Sequence, residues 1–169
     1  MKLKDIINDA ANIYGIDAPE GSTNWSMLFR CANITATNVA CNYRDCIGIQ
    51  TFNVKDSSIN YADFDEPFLK VKSIKSDGQD VYYDIYTNFI SVPNGRVTVK
   101  YAYVPRFTSG EDDIDDIVGG ILNDSTLLYG ILAEYASICG VIDDANLFDE
   151  KFQKLLFGAK ADGKARVMP

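Results

Sequence analysis

The stretch "SVPNGRVTVKYAYVPRF", residues 91–107, decides how the chain is read. Asn94-Gly95 is the dipeptide favoured in a type I′ hairpin turn. After it, Val97, Val99, Tyr101 and Tyr103 alternate with Thr98, Lys100 and Ala102, the period of a half-buried strand. Pro105 ends the ladder because it has no N–H to donate. Working backwards, "FLKVKSIK" alternates Leu69 and Val71 with Lys70 and Lys72, and "SDGQ" at 76–79 supplies an Asp-Gly turn. "DVYYDIY" then sets Val81, Tyr83 and Ile85 against Tyr82, Asp84 and Tyr86. Ile47, Ile49, Phe52 and Val54 open the region. Two hairpin signals at short spacing predict an antiparallel β meander or small barrel of about four to six strands over 47–104, with 91–107 as its closing element.

Helical patterns flank this region. Leu3, Ile6, Ile7, Ala10 and Tyr14 share one face, and Gly15 is placed as a stop, predicting a helix over 2–15. Ser22, Thr23 or Asn24 caps the next helix, over 22–44. Trp25, Leu28, Phe29, Ala32, Ala36, Val39, Ala40 and Tyr43 form its apolar stripe. Its opposite face, with Asn33, Thr35 and Asn42, is polar but almost uncharged, and such faces are usually solvated. Downstream, Leu128, Ile131, Leu132, Tyr135 and Cys139 define a helix over 124–139, in which Gly130 marks a close helix approach. Phe148, Phe152, Leu155 and Leu156 define another over 144–157. The order predicts an α+β fold: one domain over 1–157, in which amino- and carboxy-terminal helix pairs pack together beside the β meander. Residues 158–169 lack periodicity and form an extended arm, basic through Lys160, Lys164 and Arg166 and ending in Val167, Met168 and Pro169.

Composition narrows the chemistry. A net charge of −8 over 169 residues argues against a broad nucleic-acid-binding face. The amino terminus does not resemble a signal peptide, and no run is long and apolar enough for a membrane span, so a soluble, cytoplasmically made protein is expected. Cys31, Cys41, Cys46 and Cys139 form no C-x-x-C pair, and without histidine no zinc set is complete. They are read as free, small apolar residues. Five carboxylates, Glu111, Asp112, Asp113, Asp115 and Asp116, form an acidic loop that lacks calcium-loop spacing. It is read as solvated or partner-facing, because charge runs usually are. No positioned base and nucleophile stand out, so no enzyme and no cofactor are expected. Tyr61, Tyr82 and Tyr86, on the strand face away from the core set, leave open a carbohydrate- or host-binding module.

The order of parts resembles the head–tail adaptor proteins of tailed bacteriophages, the connector or tubular tail protein A-like group. The residues that carry the resemblance are "VTVKYAYVP", with Tyr101 and Pro105 matching a Y-x-x-x-P run, and "LLYGILAEYASICGVIDDANLFDEKFQKLL", with Ala133-Glu134-Tyr135 ahead of the aromatic helix from Phe148 to Phe157. The β insert is closer in size to that of the podovirus-type tubular adaptors. The resemblance implies a virion neck component that forms a dodecameric ring with itself, docks on the portal protein and receives a downstream tail or nozzle protein. DNA would pass through its lumen without sequence-specific binding. It further implies that the arm from Gly158, with Lys160, Lys164, Arg166, Val167, Met168 and Pro169, binds the portal. The acidic loop would face the lumen or a partner.

Overall fold

The computed structural model describes residues 1–158, and these form an α+β protein of five α-helices and two antiparallel sheets. The chain divides into two compact units: a helical unit of Met1–Val39 together with the chain from Arg106 onward, and a sheet unit of Ala40–Pro105.

The helical unit contains α1 (Leu3–Tyr14), most of α2 (Thr23–Asn42), and α3 (Ile114–Val118), α4 (Asp124–Ile138) and α5 (Ile142–Phe157). Elements from both chain ends therefore share one core, in which α4 packs against both α1 and α5. Leu3, Ile6, Ile7, Leu28, Leu127, Ile131 and Leu132 are wholly buried. A side chain on Gly130 would strike Thr35 Cγ2 of α2 and lie 3.2 Å from Phe152 of α5, so three helices meet at this glycine. The polar face of α2 is therefore solvated only in part: Asn42 is exposed, whereas Asn33 and Thr35 are drawn into the helical unit. Thr35 is 2% exposed, and Asn33 accepts from Phe107 N at 2.8 Å while donating to Phe107 O at 3.3 Å. The chain leaving the strands is fastened by this amide.

The sheet unit contains β1 (Cys46–Val54), β2 (Ser58–Asn60), β3 (Phe68–Ser76), β4 (Gln79–Asp80), β5 (Asp84–Ile85), β6 (Phe89–Ser91) and β7 (Gly95–Tyr103). The larger sheet has the order β1-β7-β3-β4 and the smaller β2-β6-β5. β7, the last strand in sequence, lies inside its sheet and pairs with β1 from Val54↔Gly95 to Cys46↔Tyr103. Val97, Val99, Tyr101 and Tyr103 are all buried. Tyr101 packs edge-on to Phe64 at 4.6 Å, and Phe64 contacts Phe52 and Phe68. Gly48, opposite Tyr101 in β1, leaves room for that ring: an added Cβ would sit 2.7 Å from Tyr101 Cζ.

The two turn signals have different outcomes. Asp77 and Gly78, at φ 49° and 80°, make the left-handed pair of a type I′ turn between β3 and β4. Asn94-Gly95 does not close a hairpin. Only Gly95 has a positive φ, at 126°, and the strands on either side belong to different sheets. The Asn94 side chain instead accepts from Ser57 N at 2.7 Å and from Ser57 Oγ at 3.2 Å, holding a second loop. The long strand expected over "DVYYDIY" is reduced to the short β4 and β5, and Ile85 is exposed.

Candidate functional site

The outer face of the larger sheet carries an open, mixed polar and apolar surface. The register that buries Val97, Val99 and Tyr101 turns Thr98 and Lys100 of β7 the other way. Across the ladders Ile49 stands opposite Lys100, Thr51 opposite Thr98, Ser73 opposite Lys100 and Lys75 opposite Thr98. An open depression of about 450 Å³ lies there, lined by Ile49, Ser73, Lys75, Asp77, Gly78, Thr98 and Lys100. Thr51 and Thr98 hydroxyls meet at 3.1 Å across the strands. Ile49 is 69% exposed although it sits mid-strand.

Charge on this unit is organised around one carboxylate. Asp45 pairs with Lys70 at 2.8 Å and with Lys72 through its other oxygen. The Lys70 and then the Lys72 ammonium hold its carboxyl below the usual range. Lys75 lies 3.9 Å from Asp80, an exposed and weak pair. Lys100 has no ion-pair partner among the described residues.

The acidic segment is largely engaged within the helical unit. Leu3 N donates to Asp112 O at 3.0 Å and Lys4 N to Gly110 O at 2.8 Å, satisfying the first donors of α1, which has no side-chain cap. The Asp112 carboxylate accepts from Thr108 N at 2.6 Å and Ser109 N at 3.0 Å, with both hydroxyls adding bonds. Partial burial alone would raise its pKa, but these bonds outweigh it and hold the carboxyl below the usual range. Asp113 caps α3, accepting from Asp115 N at 3.2 Å. Glu111 pairs with Lys4, which lowers its pKa. Asp115 and Asp116 sit exposed in the first turn of α3. A segment expected as a plain loop is thus a brace followed by a short helix. The cue was Thr108, Ser109 and Asp112 at turn spacing.

Other expectations sort by residue. Tyr82 is 80% and Tyr86 51% exposed. Tyr61 instead stacks on Phe68 at 4.4 Å and donates its hydroxyl to Tyr86 O, so the three do not form one free platform. The thiols divide: Cys31 and Cys46 are buried, with desolvation pushing them up to about 12 and about 11, while Cys41 and Cys139 are exposed. All four are free. Lys160, Lys164, Arg166, Val167, Met168 and Pro169 lie outside the described residues. Among the described residues no helix is long and apolar enough to cross a membrane.

Sequence reasoning missed a second exposed apolar surface. Ile138, Val141 and Ile142 are exposed at the junction of α4 and α5, with Leu147, Leu155 and Phe157 further along α5. Leu155 was expected in the core. The signal was present in "ICGVI", where apolar residues continue through the glycine that ends the helix.

No protein-family model and no curated protein matches the chain.

Proposed function

We propose that the chain is a structural head–tail adaptor of a tailed bacteriophage. In this reading it forms a ring with copies of itself, docks on the portal and carries the downstream tail or nozzle component. It is made in the host cytoplasm and resides in the neck of the virion. DNA passes through the ring without sequence-specific contact.

The observation that carries this reading is the presence of two different exposed surfaces, one on each compact unit. Single exposed apolar residues are ordinary, but contiguous ones mark interaction sites. Ile138, Val141 and Ile142 are grouped on the helical unit, and Ile49 stands among Lys75 and Lys100 on the sheet unit. An adaptor needs such separate surfaces, because its ring contacts are heterologous and its two neighbours differ. Charge supports the same assignment. The described helical unit carries six Lys and Arg against fifteen Asp and Glu, whereas the sheet unit carries seven against eight. An acidic unit repels phosphates and favours passage over capture.

A carbohydrate- or host-binding module has narrower support, since Tyr61 is engaged in the aromatic cluster and the helical surface is left without a role. The direct test is co-sedimentation of the full chain with assembled portal rings. Retention with the rings is expected; a chain that stays in the supernatant contradicts the reading. Removing residues 158–169 tests the arm, with lost attachment expected and an unchanged circular dichroism spectrum.

A further inference from the structure

The polar residues gathered between α2, α4 and α5 have no part in the adaptor reading. They bound a cavity of about 30 Å³, formed by Thr35 and Asn38 of α2, Gly130 and Glu134 of α4, and Asp149 and Phe152 of α5. That volume suits one water molecule or one small ion. Thr35 is 2% exposed, and its Oγ1 is buried without a hydrogen-bond partner. A buried hydroxyl without a partner calls for a group that completes it.

The carboxylates decide what that group is. Glu134 and Asp149 come from different helices to the same cavity, and no Lys or Arg lines it. Their neighbours are neutral amides: Asn38 Nδ2 donates to Glu134 Oε1 at 3.4 Å, and Gln153 Nε2 donates to Asp149 Oδ1 at 3.4 Å. A water would satisfy Thr35 but leave the two carboxylates that line the cavity without a counter-charge. A cation relieves both. Every donor available is oxygen (two carboxylates, a hydroxyl and, with its amide turned, Asn38 Oδ1), the set that hard divalent ions take.

We propose that the cavity bounded by Thr35, Asn38, Glu134 and Asp149 binds a hard divalent cation, calcium or magnesium, which ties α2, α4 and α5 together. Glu134 and Asp149 supply the charge, Thr35 Oγ1 completes the inner side, and water fills the remaining positions on the open side. The proposal concerns the helical unit alone, so its failure leaves the adaptor reading untouched.

Terbium and calcium are the probes, applied to the full chain after chelation. Terbium bound here lies on the helix that carries Tyr129 and Tyr135, which serve as its antenna. Saturable terbium emission, displaced by excess calcium or magnesium, is expected, together with a melting temperature that rises with calcium. Glu134→Gln with Asp149→Asn should weaken terbium binding by at least about tenfold and remove the calcium-dependent rise. Thr35→Val, which keeps the side-chain shape, should weaken binding without removing it, and it serves where the double variant does not fold. Absence of saturable emission and of any calcium- or magnesium-dependent shift overturns the proposal and leaves water alone in the cavity. Undiminished binding in the variants also overturns it, by placing the ion elsewhere.

Discussion

The helical unit and the sheet unit bury their cores with different materials. In the helical unit aliphatic side chains from both ends of the chain interlock, and the closest approach is made by Gly130 against Thr35. In the sheet unit the centre is a set of rings, Phe52, Phe64, Phe68 and Tyr101, packed over β7 with Gly48 as the gap that admits Tyr101. Their surfaces differ as well. The helical unit is strongly acidic, and its exposed apolar residues sit at a helix junction; the sheet unit is nearly neutral, with isoleucine and lysine mixed on one face. In the proposed adaptor role, two unlike surfaces on separately cored units would serve two unlike neighbours.

The strongest challenge to that division is Tyr101→Ala. Removing a buried ring from the middle of the sheet should cost about 3–5 kcal/mol. Hydrogen exchange should show the amides of β1, β3 and β7 opening first. Equal acceleration in α4 would break the distinction between the two cores.

On the helical side, Gly130→Ala sets two effects against each other. Alanine gains about 1 kcal/mol of helix propensity over glycine. The new methyl meets Thr35 on a neighbouring helix, and such overpacking costs about 1–3 kcal/mol. Because the collision is with a buried side chain on a fixed helix, net destabilisation is expected in a urea titration. A variant more stable than the parent would show that the helices are not in close contact there.

The smallest effect belongs to Asp45. Its folded pKa is depressed by Lys70 and Lys72, so its contribution is complete above the unfolded carboxylate value of about 3.9 and is lost as pH falls through the lower folded value. Asp45→Asn should therefore cost up to about 1 kcal/mol at pH 7, and the gap from the parent should close at low pH. A gap that stays constant down to pH 2 would mean that the carboxylate acts through packing.

How much of this was legible in the sequence depended on whether the determinant was local. The faces of α1 and α2 and the inward set of β7 follow from period alone, and Leu3, Ile6, Ile7, Leu28, Ala32, Val97 and Val99 are buried as expected. The Asp77-Gly78 turn was legible because its strands are its immediate neighbours. Asn94-Gly95 was not, because turn chemistry does not say with which strand the next segment pairs; β7 pairs with β1 and β3, and β6 with β2 and β5. Likewise Asn33 and Thr35 read as a solvated face until the chain at Phe107 and the glycine at 130 are brought against them. The acidic segment gave its position but not its role, since the backbone donors that it satisfies lie at the far end of the sequence.

The central claim is that two unlike surfaces serve two unlike neighbours in a phage neck. Quantitative mass spectrometry of purified tailed-phage particles from the source of this chain tests it most directly. The account predicts the protein in the virion at about one copy per portal subunit, as the proposed dodecameric ring docked on the portal implies. Its absence from the particle would contradict the account.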